Sequence, residues 1–112
     1  VRVAVIGSRN FDDYDLVKET LSTIDITLLI SGGAKGADSL GEQYAKENNI
    51  ETLIFKPDWK KHGPAAGPIR NTDIVNNANI IVAFWDGESK GTKDSITKAE
   101  KLNKEVVIIK TK

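Results

Sequence analysis

The chain has no cysteine, no methionine, a single histidine and no excess of either charge: sixteen Lys and Arg balance sixteen Asp and Glu. Without cysteine there is neither a disulfide scaffold nor thiol chemistry, and His62 alone falls short of a zinc ligand set. No metal site is expected. The charge balance removes the broad attraction behind nonspecific binding to nucleic acid or anionic lipid, although a local basic patch remains compatible with it. No apolar run reaches the roughly 18 residues of a membrane span, and no secretory pattern opens the chain. A soluble, cytoplasmic protein without membrane partners is therefore expected. With Met absent and Val1 leading straight into a strand-like pattern, at least an initiator residue is expected upstream.

A chain of 112 residues buries roughly 65% of its unfolded surface in one core, so residues 1–112 are read as one domain. Runs rich in Val, Ile, Leu and Phe predict strands at Arg2 to Ile6, Ile26 to Ile30, Thr52 to Phe55, Ile80 to Phe84 and Val106 to Ile109. Near-continuous apolarity fits a parallel sheet covered on both faces. Helical spacing recurs between them, at Tyr14, Val17, Leu21 and Ile24 and at Ala37, Leu40, Tyr44 and Ala45. Two further helices are predicted from Pro68 to Asn77, with proline near the start, and from Thr92 to Leu102. Regular alternation with short connections implies an α/β fold, a three-layer Rossmann-like sandwich on a five-stranded parallel sheet. The segment from Lys56 to Gly67 is expected to be an irregular loop overhanging a pocket.

The chemistry is expected at glycine-rich strand-to-helix turns. Ser31 to Asp38 carries Gly32, Gly33 and Gly36, and a second turn runs from Gly87 through Gly91 to Thr92. Glycine lets the backbone approach a ligand, and the helix that follows presents unpaired N–H groups and partial positive charge to an anion. The sequence does not match the dinucleotide fingerprint after its first strand, nor the Gly-Lys-Ser/Thr of a P-loop. A nucleotide pocket of another kind is predicted.

Four motifs in order, Val5-Ile6-Gly7-Ser8-Arg9-Asn10, Ser31 to Asp38, Gly67-Pro68-Ile69-Arg70-Asn71, and Ala83 to Gly87 with Ser89-Lys90-Gly91-Thr92, resemble the SLOG superfamily in its SMF/DprA-LOG group. Within it, the chain is most similar to the YspA or cpYpsA-related branch, a domain family of unknown function. The resemblance implies strand order 3-2-1-4-5, a nucleotide or nucleotide-derived ligand, no required cofactor, and homodimers of the kind common among relatives. The DprA family is similar at Gly7-Ser8-Arg9, at Ser31-Gly32 with Lys35 to Asp38, and at Arg70-Asn71, which implies a single-stranded DNA binder as an alternative. Cytokinin-activating phosphoribohydrolases share a glycine turn followed by a catalytic glutamate. Here the turn is one residue longer, the glutamate position falls near Leu40, and the nearest acid, Glu42, is offset.

For phosphate, Arg9 and Arg70 are the expected partners because a guanidinium fork matches two phosphate oxygens. The backbone of Gly32–Gly36, with Ala34, and that of Gly91–Thr92 complete the phosphate expectation; Lys35 either contacts phosphate or is solvated, and Gly7, Ser8 and Asn71 are expected among the ligand-binding residues. Arg70, in a helix's opening turn, works against the helix dipole and calls for a compensating anion or neighbouring carboxylate. Asp38 is read as bracing the turn, with acid–base chemistry as its other role. Asp86 either caps the Gly87 turn or acts on a glycosidic bond or ribose. Ser89 and Thr92 offer hydroxyls, and Thr92 also suits a helix N-cap. Trp59 is the aromatic expected to stack on a base, Trp85 is expected to pack, and His62 is expected to stabilise its loop or touch phosphate. The functional expectation is a sensor, carrier or sequestering module; the alternatives are an enzyme cleaving an N-glycosidic or related bond and a DprA-like single-strand binder.

Overall fold

Strands and helices alternate along the computed structural model, which describes residues 1–111. The order is β1 (Arg2–Gly7), α1 (Tyr14–Leu21), β2 (Leu28–Ser31), α2 (Ala37–Glu47), β3 (Glu51–Ile54), α3 (Trp59–His62), a 3-10 turn (Gly63–Ala65), α4 (Ala66–Asn77), β4 (Ile80–Trp85), α5 (Lys90–Lys101) and β5 (Glu105–Lys110). The strands form one parallel sheet in the order β3-β2-β1-β4-β5, as the resemblance implied.

Alternate residues of the central strands face opposite layers, so apolar residues in β1 serve two cores. Val3 and Val5 join Val17 and Leu21 of α1 and Tyr44 and Ala45 of α2. Ala4 and Ile6 join Ile74 and Val75 of α4 and Ile96 and Ala99 of α5. Phe11, beyond β1, stacks on Phe84 of β4 with ring centroids 5.0 Å apart. The chain winds from β1 outward to β3 on one face, then returns across the sheet to β4 on the other. At that reversal the segments leaving β1 and β4 part toward opposite layers and leave a crevice between them.

Several expected boundaries shift. Helix α1 ends at Leu21 with Ser22 as its C-cap, and Ile24 packs from the turn beyond. The edge strands are less buried than the sequence predicts: Glu51 and Thr52 of β3 and Ile108 of β5 are exposed, because only one neighbour covers an edge. The segment from Lys56 to Gly67 is not an irregular loop. Asp58 accepts a hydrogen bond from Lys61 N (3.1 Å) and starts α3, and α4 begins at Ala66, two residues before Pro68. Proline is tolerated there because first-turn N–H groups have no intrahelical partner. Among the described residues no helix is long and apolar enough to cross a membrane.

Candidate functional site

A cavity of about 360 Å³ opens at the carboxyl ends of β1 and β4. Its first wall is the turn after β1. A Cβ on Gly7 would meet Phe84 O and lie 2.7 Å from the Ala37 Cβ, so glycine permits the contact between β1, β4 and the start of α2. Buried Ser8 secures the same junction. Its N–H donates to Phe84 O (3.0 Å), its carbonyl accepts from Ala37 N (3.3 Å), and its Oγ accepts from Asp86 N (3.2 Å). Arg9 then projects, exposed, along the cavity, and no ion pair holds it among the described residues.

The second wall is the glycine turn after β2. Ser31 Oγ donates to Glu42 Oε2 (2.6 Å) and accepts from Gly33 N (3.1 Å). Asp38, in the first turn of α2, reaches back so that its Oδ2 accepts from Gly32 N (3.0 Å) and Ala34 N (3.3 Å). Two amides of the turn are thus held by the chain's own carboxyl group. Gly36, at φ +79°, closes the turn where a Cβ would lie 2.6 Å from the Arg9 carbonyl carbon.

Arg70 joins this turn to α4. Its Nη1 donates to Gly32 O (2.6 Å) and Phe55 O (3.5 Å), and its Nε donates to Asn71 Oδ1 (3.0 Å). Asn71, buried, donates in turn to Gly91 O (3.3 Å) and Asp94 Oδ2 (3.1 Å) of α5. Because α4 starts at Ala66, Arg70 lies past the opening turn where the sequence placed it, and its direct partners are the Gly32 and Phe55 carbonyls, with the Asp38 carboxylate nearby.

The last wall follows β4. Asp86 Oδ1 accepts from Glu88 N (2.8 Å) and Ser89 N (2.9 Å), which folds the turn over Gly87. Ser89 Oγ and Thr92 Oγ1 share one hydrogen bond (3.1 Å). Ser89 is the N-cap residue of α5 but makes no side-chain capping bond, so the first-turn N–H groups of α5 stay open beside the cavity.

These environments set the charges. Burial pushes the Asp38 carboxyl up from 3.8 to about 6, against the pull of the Ala34 and Gly32 amides and Arg70. Burial also lowers the Arg70 pKa; Asp38 opposes that, while the positive charge of Arg9 adds to it. Amide donation from Glu88 and Ser89 holds Asp86 below the usual carboxylate range. Because Asp38 binds its proton more tightly folded than unfolded, the stability it contributes is present below about pH 4 and is lost as pH rises through about 6. Asp38→Asn should remove that loss. Between pH 4 and 7 the variant's unfolding free energy should gain on the wild type by on the order of 3 kcal/mol at most, measured by urea denaturation. A difference that stays flat with pH would contradict the burial of a titrating carboxyl.

With this geometry in view, the relatives are informative. The sequence profile of the YspA, cpYpsA-related SLOG family matches residues 1–62. The Gene 61 protein of Mycobacterium phage D29 is 31% identical over 117 residues, covering 95% of this chain and 94% of that protein. The chain belongs to the YspA, cpYpsA-related SLOG family. The X-ray structure of DNA processing protein A (DprA) from Streptococcus pneumoniae has the same fold, with a TM-score of 0.82 at 18% identity. That match covers 99% of this chain and 50% of DprA, so this SLOG chain spans half the length of that neighbour.

The fold gathers most of the expected site residues of this SLOG domain on one cavity. Gly7, Ser8 and Arg9 line it from β1; Ala34 and Asp38 line it from the β2 turn. Arg70 and Asn71 enter from α4, and Asp86, Ser89, Gly91 and Thr92 from the β4 turn. Gly32 and Gly36 stand behind this lining as its support, whereas Gly33, Lys35 and Gly87 lie outside it. Trp59 is 54% exposed, and no residue from 56 to 67 lines the cavity in this conformation. The lining also takes in Ile6, Asn10, Ile74 and Ser95, none of which was expected as a site residue. Ile6 and Asn10 had a signal, their place in the first motif, whereas Ile74 and Ser95 had none.

Proposed function

We propose that this domain binds a nucleotide or nucleotide-derived ligand in the cavity between β1 and β4, as a sensor, carrier or sequestering module. The observation that carries the reading is the pair Arg9 and Arg70. Both line one cavity, and the positive charge of Arg9 makes that of Arg70 costlier, a cost that a bound anion offsets. The open start of α5 adds partial positive charge to the same space. A thermal-shift screen over mononucleotides, cyclic nucleotides, NAD, ADP-ribose and short single strands tests it. At a hundred times its dissociation constant a ligand adds about 2.7 kcal/mol, a rise of several degrees for a domain of this size. A screen in which no nucleotide raises Tm would contradict the reading.

Asp38 favours a second reading, an enzyme that cleaves an N-glycosidic or related bond. A buried, cavity-lining carboxyl that titrates at about 6 keeps a proton-bearing fraction near neutrality, as a general acid requires. Asp86, held ionised by two amides, has no proton to give. Release of free base from a bound nucleotide, followed by chromatography and abolished in Asp38→Asn, would establish this reading over simple binding. The single-strand reading drawn from the DprA resemblance makes a different demand, because neutralising several phosphates gives a steep salt dependence. With sixteen acidic residues against sixteen basic ones, no submicromolar single-strand binding is expected at physiological salt.

A further inference from the structure

We infer that the ligand carries one phosphoryl group, as a nucleoside monophosphate or a monophosphate ester does, and that the cavity discriminates against di- and triphosphates. The inference rests on the reading that the cavity binds a nucleotide. Its ground is a count of donors and charges. Each of the two glycine-containing turns that flank the cavity spends a pair of amides on the chain's own carboxylate: Gly32 N and Ala34 N go to Asp38, Glu88 N and Ser89 N to Asp86. A nest filled this way has little left for a phosphate, and its carboxylate repels any second phosphoryl group brought close.

Among the described residues, only two cations line the cavity to hold an anion. Arg9 stands without an ion-pair partner among the described residues, while Arg70 already spends its Nη1 and Nε on Gly32 O, Phe55 O and Asn71. The Ser89 and Thr92 hydroxyls share a single hydrogen bond, which leaves one hydroxyl proton to donate. These groups and the open amides of α5 suffice for the three oxygens of one phosphoryl group. No lysine lines the cavity, so the formal charges there, Arg9 and Arg70 against Asp38 and Asp86, cancel when both acids are ionised. A triphosphate would add charges that nothing in the lining neutralises. The volume agrees: about 360 Å³ sits at the small end of ligand pockets, which run from about 300 to 1,000 Å³.

Calorimetric titration of the intact protein with matched series tests this: nucleoside, mono-, di- and triphosphate of adenine, guanine, cytosine and uracil, each with and without Mg²⁺. For the base that binds, the monophosphate should bind at least about tenfold tighter than both the nucleoside and the triphosphate, with the order unchanged by Mg²⁺. A triphosphate that binds equally or more tightly in either condition overturns this inference and leaves the nucleotide reading standing. If no member of any series binds, this inference falls, while the nucleotide reading falls only if the wider thermal-shift screen is blank as well. Asp86→Asn keeps a side-chain oxygen for the turn while removing one fixed negative charge. It should narrow the preference for monophosphate by at least about threefold if a cavity carboxylate contributes to the discrimination. An unchanged ratio in a folded variant would overturn the charge argument.

Discussion

Gly36→Ala is expected to cost about 3 to 5 kcal/mol of stability and to lower Tm by more than about 10 °C. Two effects add. Gly36 sits at φ +79°, where an L side chain is strained, and its new Cβ would press on Ser8 O and lie 2.6 Å from the Arg9 carbonyl carbon. The neighbours are backbone atoms of the β1 turn, pinned by Ser8 to β4 and α2, so they have nowhere to relax. Gly91→Ala is the control. It sits in the first turn of α5 with nothing within 4 Å of the added Cβ, so chemical denaturation should show no loss of stability. Equal losses in the two variants would mean that the turns after β1 and β2 do not interlock as described.

Arg70→Ala should be the next most damaging change, at about 2 to 4 kcal/mol. It strips donors from Gly32 O, Phe55 O and Asn71 Oδ1 and takes the nearest cation from Asp38. The loss should be partly repaired by Asp38→Asn, because an amide oxygen still accepts from Gly32 N and Ala34 N but no longer needs a cation. The double variant should therefore be more stable than the sum of the two single effects predicts. Strict additivity would show that Asp38 and Arg70 do not act as one unit. Arg9→Ala, by contrast, should cost no stability, since Arg9 carries no ion pair among the described residues and its charge only adds to the cost of Arg70's.

The central strands were legible because they are buried on both faces: Val3 to Ile6 and Ile81 to Phe84 carry no polar residue to blur the pattern. The edges were harder, since β3 and β5 mix exposed and covered positions. Helix α3 escaped because its four residues are too short for periodicity and proline and glycine flank it; Asp58 as an N-cap was its one signal. The site divides in the same way. Glycines, arginines and Asp38 announced themselves through residue type and position. What sequence could not show is that Arg70 reaches Gly32 across 38 positions, or that Asn71 binds Gly91 and Asp94 of another helix. Those pairings exist only because the chain reverses between β3 and β4, and they tie α4 to the turn after β2 and to α5.

The central claim, an anion-binding cavity at the β1–β4 switch, is tested most directly by following ¹⁵N-labelled protein by NMR while the best nucleotide from the screen is titrated in. The account predicts that amide shifts concentrate at Ser8 to Asn10 and Ser89 to Thr92, with the Arg9 and Arg70 side-chain resonances moving in the same titration. Shifts confined to surfaces away from the cavity, such as the exposed face of β5 around Ile108, would contradict it.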